Sequence, residues 1–247
     1  MRKFGLIGFP LGHSFSRKYF REKFQRTSVT DASYSNYEID SITALPGILQ
    51  DPDLKGLNVT IPYKEAVIPF LYRKDPVVEE IGACNCIRIE EGKLTGYNTD
   101  VIGFKESLKE KIIPKDQGAL ILGTGGSSKA VAWVLGNIGI RYLFVSRTKS
   151  ATPGRMIYED LDRQTMETHS IIINCTPLGM SPKSDVCPPI PYKWIGSGHY
   201  LFDLVYNPIV TLFLEKGKSA GARIKNGADM LAIQAEASWE IWNRVLG

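Results

Sequence analysis

The sequence predicts an α/β protein of two domains, the second built on a mainly parallel sheet. Three observations predict this. The chain has 247 residues, room for one large domain or two modest ones at about 100–200 residues each. Four short stretches in its second half (119–122, 142–145, 171–174 and 200–205) are apolar without polar alternation, which suits strands of a parallel sheet covered on both faces. Helical stretches separate them, and a glycine-rich loop follows the first.

Composition narrows the class further. Hydrophobic residues make up 43% and charged residues 23%, too apolar a mixture for global disorder or a coiled coil. The net charge of +4, from 30 basic and 26 acidic side chains, is spread along the chain. A nucleic-acid binder gathers such an excess into a basic stripe, so a small-molecule partner is expected instead. The longest apolar runs, such as Ile171-Ile172-Ile173, are a few residues long, against the roughly 20 of a membrane span. The first ten residues lack the long apolar core of a signal peptide. Cys84, Cys86, Cys175 and Cys187 do not make a disulfide scaffold in a chain of this length. The expectation is a cytoplasmic protein without a nucleic-acid or membrane partner.

Taken in order, residues 3–7 read as a strand closed by the turn Gly8-Phe9-Pro10. Residues 17–24 read as a charged amphipathic helix and 34–39 as an alternating strand. A strand over 56–59 leads into a helix over 62–71 with proline in its first turn. Strands over 83–89 and 93–97 flank Glu90-Glu91-Gly92, a hairpin signal. A helix over 101–112 stops before Pro114, and the domain break falls near Val101–Gly103. In the second half, helices over 127–135 and 211–217 alternate with the four buried strands. The segment 228–245 repeats Met230, Ile233, Ala237 and Ile241 at helical spacing.

The first buried strand runs into Gly123-Thr124-Gly125-Gly126-Ser127-Ser128-Lys129-Ala130. Glycines let the backbone turn tightly and approach a pyrophosphate, and the helix that follows presents free N–H groups and its positive dipole end. Ala130 stands where a third glycine is usual. A strand, loop, helix and second strand in this order predict a Rossmann-type dinucleotide site; the bland alternative is an ordinary strand–helix turn. The second strand ends in Ser146-Arg147-Thr148-Lys149, where an NAD site carries an acid for the ribose 2′-hydroxyl. Arg147 can instead pair with a 2′-phosphate and Lys149 can add charge, so NADP(H) is the expected cofactor.

Four polar clusters stand in the first hundred residues: Ser14 and Ser16; Thr60 and Lys64 at a strand–helix junction; Asn85; and Asp100. Singly, each has a bland reading. The serines or Asp100 could cap helices, Lys64 could be solvated, and Asn85 could satisfy the hairpin. Together they suit a polyhydroxylated ligand, with one lysine and one carboxylate able to move a proton while a cofactor moves a hydride. His13, His169 and His199 are too scattered for a metal site. Cys84 and Cys86 read as small packing residues rather than a redox pair.

In these motifs, and in GLNVTIPYK at 56–64, GACN at 82–85, GYNTDVIGF at 96–104, NCTPLGM at 174–180, DLVYNP at 203–208 and GADMLAIQA at 227–235, the chain resembles the NADP-dependent shikimate dehydrogenase family over nearly its whole length. The resemblance implies reversible reduction of 3-dehydroshikimate to shikimate, an oxidoreductase step of aromatic amino-acid biosynthesis. It implies a substrate-binding and catalytic domain over 1–101 plus 227–247, an NADP-binding domain over 102–226, and a cleft between them. Lys64 would be the proton donor and acceptor, with Asp100 beside it. Ser14, Ser16, Thr60, Asn85, Asp100, Tyr206 and Gln234 would bind shikimate. Gly123, Thr124, Gly125, Gly126 and Ser127 would hold the pyrophosphate, and Ser146, Arg147, Thr148 and Lys149 the 2′-phosphate end. Asn174, Thr176, Leu204 and Gly227 would line the nicotinamide side. No metal is implied, and the protein would be a monomer or homodimer.

The chain departs from the family pattern in three places. After Ser16 it continues Arg17-Lys18 where relatives have proline. The usual asparagine before Arg147 is Ser146. Lys149–Gly154 replaces the helix that relatives place after the arginine strand, since proline and glycine so close together break one. A quinate/shikimate dehydrogenase of broader specificity is a second enzyme reading. A non-catalytic ligand sensor is a third, and it would need neither Lys64 nor Asp100.

Overall fold

The computed structural model describes residues 1–12, 14–109 and 118–244. The chain forms two compact units: Met1–Gly103 with the segment from Leu231 onward, and Phe104–Met230.

The first unit holds β1 (Arg2–Gly8), α1 (Phe15–Arg26), β2 (Ala32–Glu38), α2 (Leu45–Ile48), β3 (Leu54–Val59), α3 (Tyr63–Ala66), β4 (Arg73–Lys74), α4 (Pro76–Ile81), β5 (Cys86–Glu90) and β6 (Lys93–Tyr97). Its six-stranded sheet is mixed, in the order β2-β1-β3-β5-β6-β4. β1 is parallel to β2 and β3, β5 is antiparallel to β3 and β6, and β4 is parallel to β6. The expected hairpin forms between β5 and β6, and Glu91 and Gly92 both take positive φ at its turn. This alternation of direction carries the end of β3, the start of β5 and the end of β6 to one edge, in the row Asn58, Cys86 and Tyr97.

The second unit begins within α5 (Asp100–Lys109) and holds β7 (Ala119–Leu122), α6 (Gly126–Asn137), β8 (Tyr142–Ser146), β9 (Arg155–Ile157), α7 (Arg163–Thr168), β10 (Ile171–Asn174), β11 (Tyr200–Asp203), α8 (Leu212–Ser219) and β12 (Arg223–Asn226). α9 (Ala228–Asn243) then runs into the first unit. All five strand pairs of the second sheet are parallel, in the order β12-β11-β10-β7-β8-β9. β7, β10 and β11 are buried along their whole length, as their unbroken apolar runs require. The chain leaves β7 for β8 on one side and returns as β10 on the other. That reversal opens a crevice at the carboxyl ends of β7 and β10, where α/β sheets bind ligands.

Three expectations change. The helix expected over 62–71 is one turn, α3, followed by a 3-10 turn over Ile68–Phe70. Pro69 lacks the N–H a continuing helix needs and clashes with the preceding turn. The strand expected over 83–89 starts only at Cys86, because the backbone N–H of Cys84 bonds to the Lys64 carbonyl. The helix expected over 101–112 starts at Asp100, and its last three residues lie outside the described ones. No helix stands between β8 and β9; bends and turns occupy 147–154 there. Among the described residues, no helix is long and apolar enough to cross a membrane.

Candidate active site

The end of β6 and the start of α5 bring Thr99 and Asp100 to the loop before β5, which carries Asn85. α3 presents Lys64 to the same point. Its Nζ lies 2.6 Å from Asp100 Oδ2, and the two side chains are 13% and 8% exposed. Asn85 Nδ2 donates to the other carboxylate oxygen, Oδ1, at 2.8 Å. The opposite end of the Asn85 amide accepts the Thr99 N–H at 2.6 Å. With two donors converging on it and a cation at one oxygen, Asp100 is placed as a carboxylate acceptor, and Lys64 is held at the edge of solvent.

α9 closes this network from behind. Gln234 Oε1 lies 3.4 Å from Asn85 Nδ2 and accepts from Thr99 Oγ1 at 3.3 Å. One turn on, the Ser238 hydroxyl donates to the Gln234 carbonyl at 2.9 Å and accepts from Asn58 Nδ2 at 2.9 Å. Tyr34 donates its hydroxyl to Asn58 Oδ1 at 2.8 Å, and Ser16 hydrogen-bonds to Tyr34 in turn. Burial pushes the Tyr34 phenol well above its usual range, so it stays a donor. The sequence does not single out Asn58, Thr99 or Ser238. Their signal was polar residues on faces that should be apolar: Asn58 between Leu57 and Val59, and Ser238 four residues after Gln234.

The other expected substrate residues are placed as follows. Ser14 caps α1, accepting the Arg17 N–H at 3.4 Å, and Thr60 follows β3, its N–H bonded to the Ile7 carbonyl. Both stand beside the edge that carries Lys64 and Asp100 without a printed bond to that pair. Tyr206 belongs to the second unit, just after β11. Cys84 and Cys86 are fully buried; burial pushes the Cys84 thiol up to about 12 and raises Cys86 as well, so both are packing residues. His13 lies outside the described residues. His199 is engaged by the Gly196 N–H and the Met166 carbonyl, and His169 by Thr165 and Thr168. Among the described residues, no three His, Cys, Asp or Glu side chains gather as for a metal.

In the second unit the residues expected at the cofactor lie on the carboxyl edge of the parallel sheet. Gly123 ends β7 with φ of 107°, and a Cβ there would stand 3.2 Å from the Thr176 methyl, so the loop's closeness to the β10 end depends on glycine. The buried Ser128 hydroxyl beside it has no hydrogen-bond partner, although nearly all buried polar groups find one. Gly125 caps the twelve-residue α6 with no side-chain bond and open space around it, which leaves the helix N-terminus for an anion. Ser146 Oγ donates to the Thr148 carbonyl at 2.8 Å, and Arg147, Thr148 and Lys149 are exposed. Gly227 follows β12 and packs on the Leu204 backbone, where a Cβ would come within 2.9 Å of the carbonyl carbon. These features fit a phosphate-bearing dinucleotide.

Asn174 is fully buried at the end of β10. It donates to Asp203 Oδ1 at 2.9 Å and accepts from Thr176 N and Oγ1 at 3.0 and 2.6 Å. Burial pushes the Asp203 carboxyl up to about 6, with bonds from Thr211, Val205 and Asn174 partly offsetting that rise.

The comparisons with known proteins agree with this geometry. Residues 6–87 match the family model described as the shikimate dehydrogenase substrate binding domain. The chain is 34% identical to a shikimate dehydrogenase (NADP(+)) of Desulforamulus reducens, over 96% of this chain and 88% of that one. It superposes with a TM-score of 0.87 on a shikimate 5-dehydrogenase of Thermus thermophilus solved with NADP(H) and shikimate, at 30% identity and with 100% and 95% of the two chains covered. Shikimate dehydrogenase 1 of Peptoclostridium difficile superposes with a TM-score of 0.87 at 35% identity, covering 98% and 92%.

Proposed function

The chain belongs to the shikimate dehydrogenase family, and from that premise we propose that it reduces 3-dehydroshikimate reversibly to shikimate with NADPH. The observation that carries this reading is the buried Lys64–Asp100 pair, held by Asn85 and backed by Gln234. NADPH, when bound, supplies the hydride for the ketone carbon. Lys64 donates its proton to the carbonyl oxygen as that oxygen becomes basic, and recovers one from solvent. Asp100 favours the charged lysine and points it. Asn85 and Gln234 read ring hydroxyls from the same polar cluster, joined by Ser14, Ser16, Thr60 and Tyr206.

In this reading, residues 1–101 with 227–247 form the substrate domain and 102–226 the cofactor domain. Gly123–Ser127 with the α6 N-terminus would hold the pyrophosphate. Ser146, Arg147, Thr148 and Lys149 would take the 2′-phosphate end, while Thr176, Leu204 and Gly227 would face the nicotinamide side with Asn174 behind them. Small molecules are the only partners in this reading, for a cytoplasmic monomer or homodimer.

The test mixes the purified protein with shikimate or quinate, each with NADP+ or NAD+, and follows the reduced-nicotinamide absorbance. Turnover is expected with shikimate and NADP+. No turnover with any of the four pairs would refute the proposal, and turnover with quinate alone would move the substrate.

A further inference from the structure

We infer that Asp203 is a positioning residue for cofactor binding, acting through Asn174 on Thr176; this rests on the reading that the second unit takes NADP(H). Asp203 ends β11, is fully buried, and receives three donors: Asn174 Nδ2 at 2.9 Å and Val205 N at 3.0 Å on Oδ1, and Thr211 Oγ1 at 2.5 Å on Oδ2. Asn174 is its neighbour across the sheet, in direct register. The second Asn174 amide proton goes to the Leu178 carbonyl at 3.2 Å, and the amide oxygen takes both donors of Thr176.

These bonds allow one orientation of the Asn174 amide. Flipping it would set its oxygen against the carboxylate and its NH2 against the Thr176 N–H. The carboxylate therefore decides which way the amide faces, and the amide decides which way Thr176 faces. Thr176 gives its hydroxyl inward to Asn174, so its methyl lies toward Gly123, beside the position a Cβ would take. One relay thus joins the ends of β11, β10 and β7 at the crevice where the sheet reverses.

Stability alone does not account for a carboxylate here. Its printed partners are three neutral donors, and burying a charge without a counter-charge costs more than an apolar side chain of the same size. A carboxylate does offer acceptors to donors arriving from two sides, which no apolar residue can.

The test compares Asp203→Leu, Asp203→Asn and Thr211→Val with the wild-type protein. NADPH and shikimate affinities are measured separately by calorimetry, alongside the melting temperature. Asp203→Leu frees the Asn174 amide and should weaken NADPH binding about tenfold, the worth of one held hydrogen bond, with shikimate affinity unchanged. Asp203→Asn should bind NADPH within about threefold of wild type, because its oxygen can still accept from Asn174 while Thr211 turns to accept from its NH2. Thr211→Val loosens the start of α8 but leaves the Asp203–Asn174 bond, so it should melt lower without losing NADPH.

Asn174→Ala should weaken NADPH binding about as much as Asp203→Leu, and combining the two should add nothing further. It reads the same relay if the leucine variant does not fold. Unchanged NADPH affinity in Asp203→Leu or Asn174→Ala overturns the inference, as does an equal loss in Thr211→Val. A wild-type protein that binds no NADPH would instead fail the reading on which the inference rests.

Discussion

Replacing Asp100 by asparagine changes one atom and puts the proposed proton donor under a calculable strain. Asp100 meets a donor at each oxygen, Lys64 Nζ at 2.6 Å and Asn85 Nδ2 at 2.8 Å. An amide has one oxygen, so its NH2 must face either the ammonium or the Asn85 NH2. Asn85 cannot turn to relieve this, because its own oxygen already accepts the Thr99 N–H at 2.6 Å. At 2.6 Å and an effective dielectric of about 20, the lost attraction is about 6 kcal/mol before desolvation is subtracted. Breaking a buried pair by removing one partner costs about 3–5 kcal/mol in practice.

We expect Asp100→Asn to lose about 3 kcal/mol of stability in urea at neutral pH, less whatever Lys64 recovers by shedding its proton. The same energy moves the alkaline limb of 3-dehydroshikimate reduction down by about two pH units. The assay is NADPH consumption across pH 6–10 at saturating substrate, with kcat taken at each pH. A variant whose kcat and alkaline limb match those of the wild-type protein would show that Asp100 does not hold the proton donor.

Further outcomes follow from the same geometry. Lys64→Ala should lower kcat about 10²–10⁴-fold with little change in shikimate affinity; an unchanged turnover number removes Lys64 from the mechanism. Ser14→Ala and Ser16→Ala should weaken shikimate binding by about 0.5–3 kcal/mol each, and calorimetry showing normal binding in both would place the substrate elsewhere. Arg147→Asp should reduce NADP+ use sharply and spare or improve NAD+ use, read as kcat/KM for both cofactors, since charge-assisted bonds to a phosphate contribute about 1.5–3 kcal/mol. Losing both cofactors in proportion would show that Arg147 is not the selector. Asp203 titrates near 6 when folded against 3.8 as its ordinary value, so between those values the folded chain holds a proton the unfolded chain has lost. Stability therefore falls as pH rises from about 4 to about 6, by up to about 3 kcal/mol from this group. Asp203→Asn removes that slope, and urea unfolding of both proteins at several pH values should show their difference changing across this window.

The second sheet was legible because its central strands are buried on both faces and therefore read as unbroken apolar runs. Its rim was not. β12 is Arg223-Ile224-Lys225-Asn226 and β9 is Arg155-Met156-Ile157, edge strands whose charge guards against pairing with other chains and so hides the strand signal. β4 is two exposed residues, Arg73 and Lys74, with no pattern to read. In the candidate site, Lys64, Asn85, Asp100 and Gln234 stood out as polar residues inside recognisable motifs. Ser238 and Asn58 did not, because a single polar residue on an apolar face has no meaning until its partner across the sheet is known. Asn174 was expected beside a ligand, and its full burial shows that it acts from behind Thr176.

α9 gives the first unit an unusual dependence on the order of synthesis. Trp242 stacks on Phe4 with ring centroids 4.8 Å apart, and its indole N–H reaches the Ile87 carbonyl at 2.9 Å. Trp239 and Ile241 pack in the same cluster with Phe20 and Phe24. On the ribosome, the first 103 residues emerge long before these partners, and the whole second unit is made in between. The second unit, contiguous in sequence, can fold as it emerges. The first must wait with Phe4, Phe20 and Cys86 uncovered. Nascent chains arrested before Trp239 should accordingly bind a holdase chaperone through the first unit, and release it once residue 242 has cleared the exit tunnel.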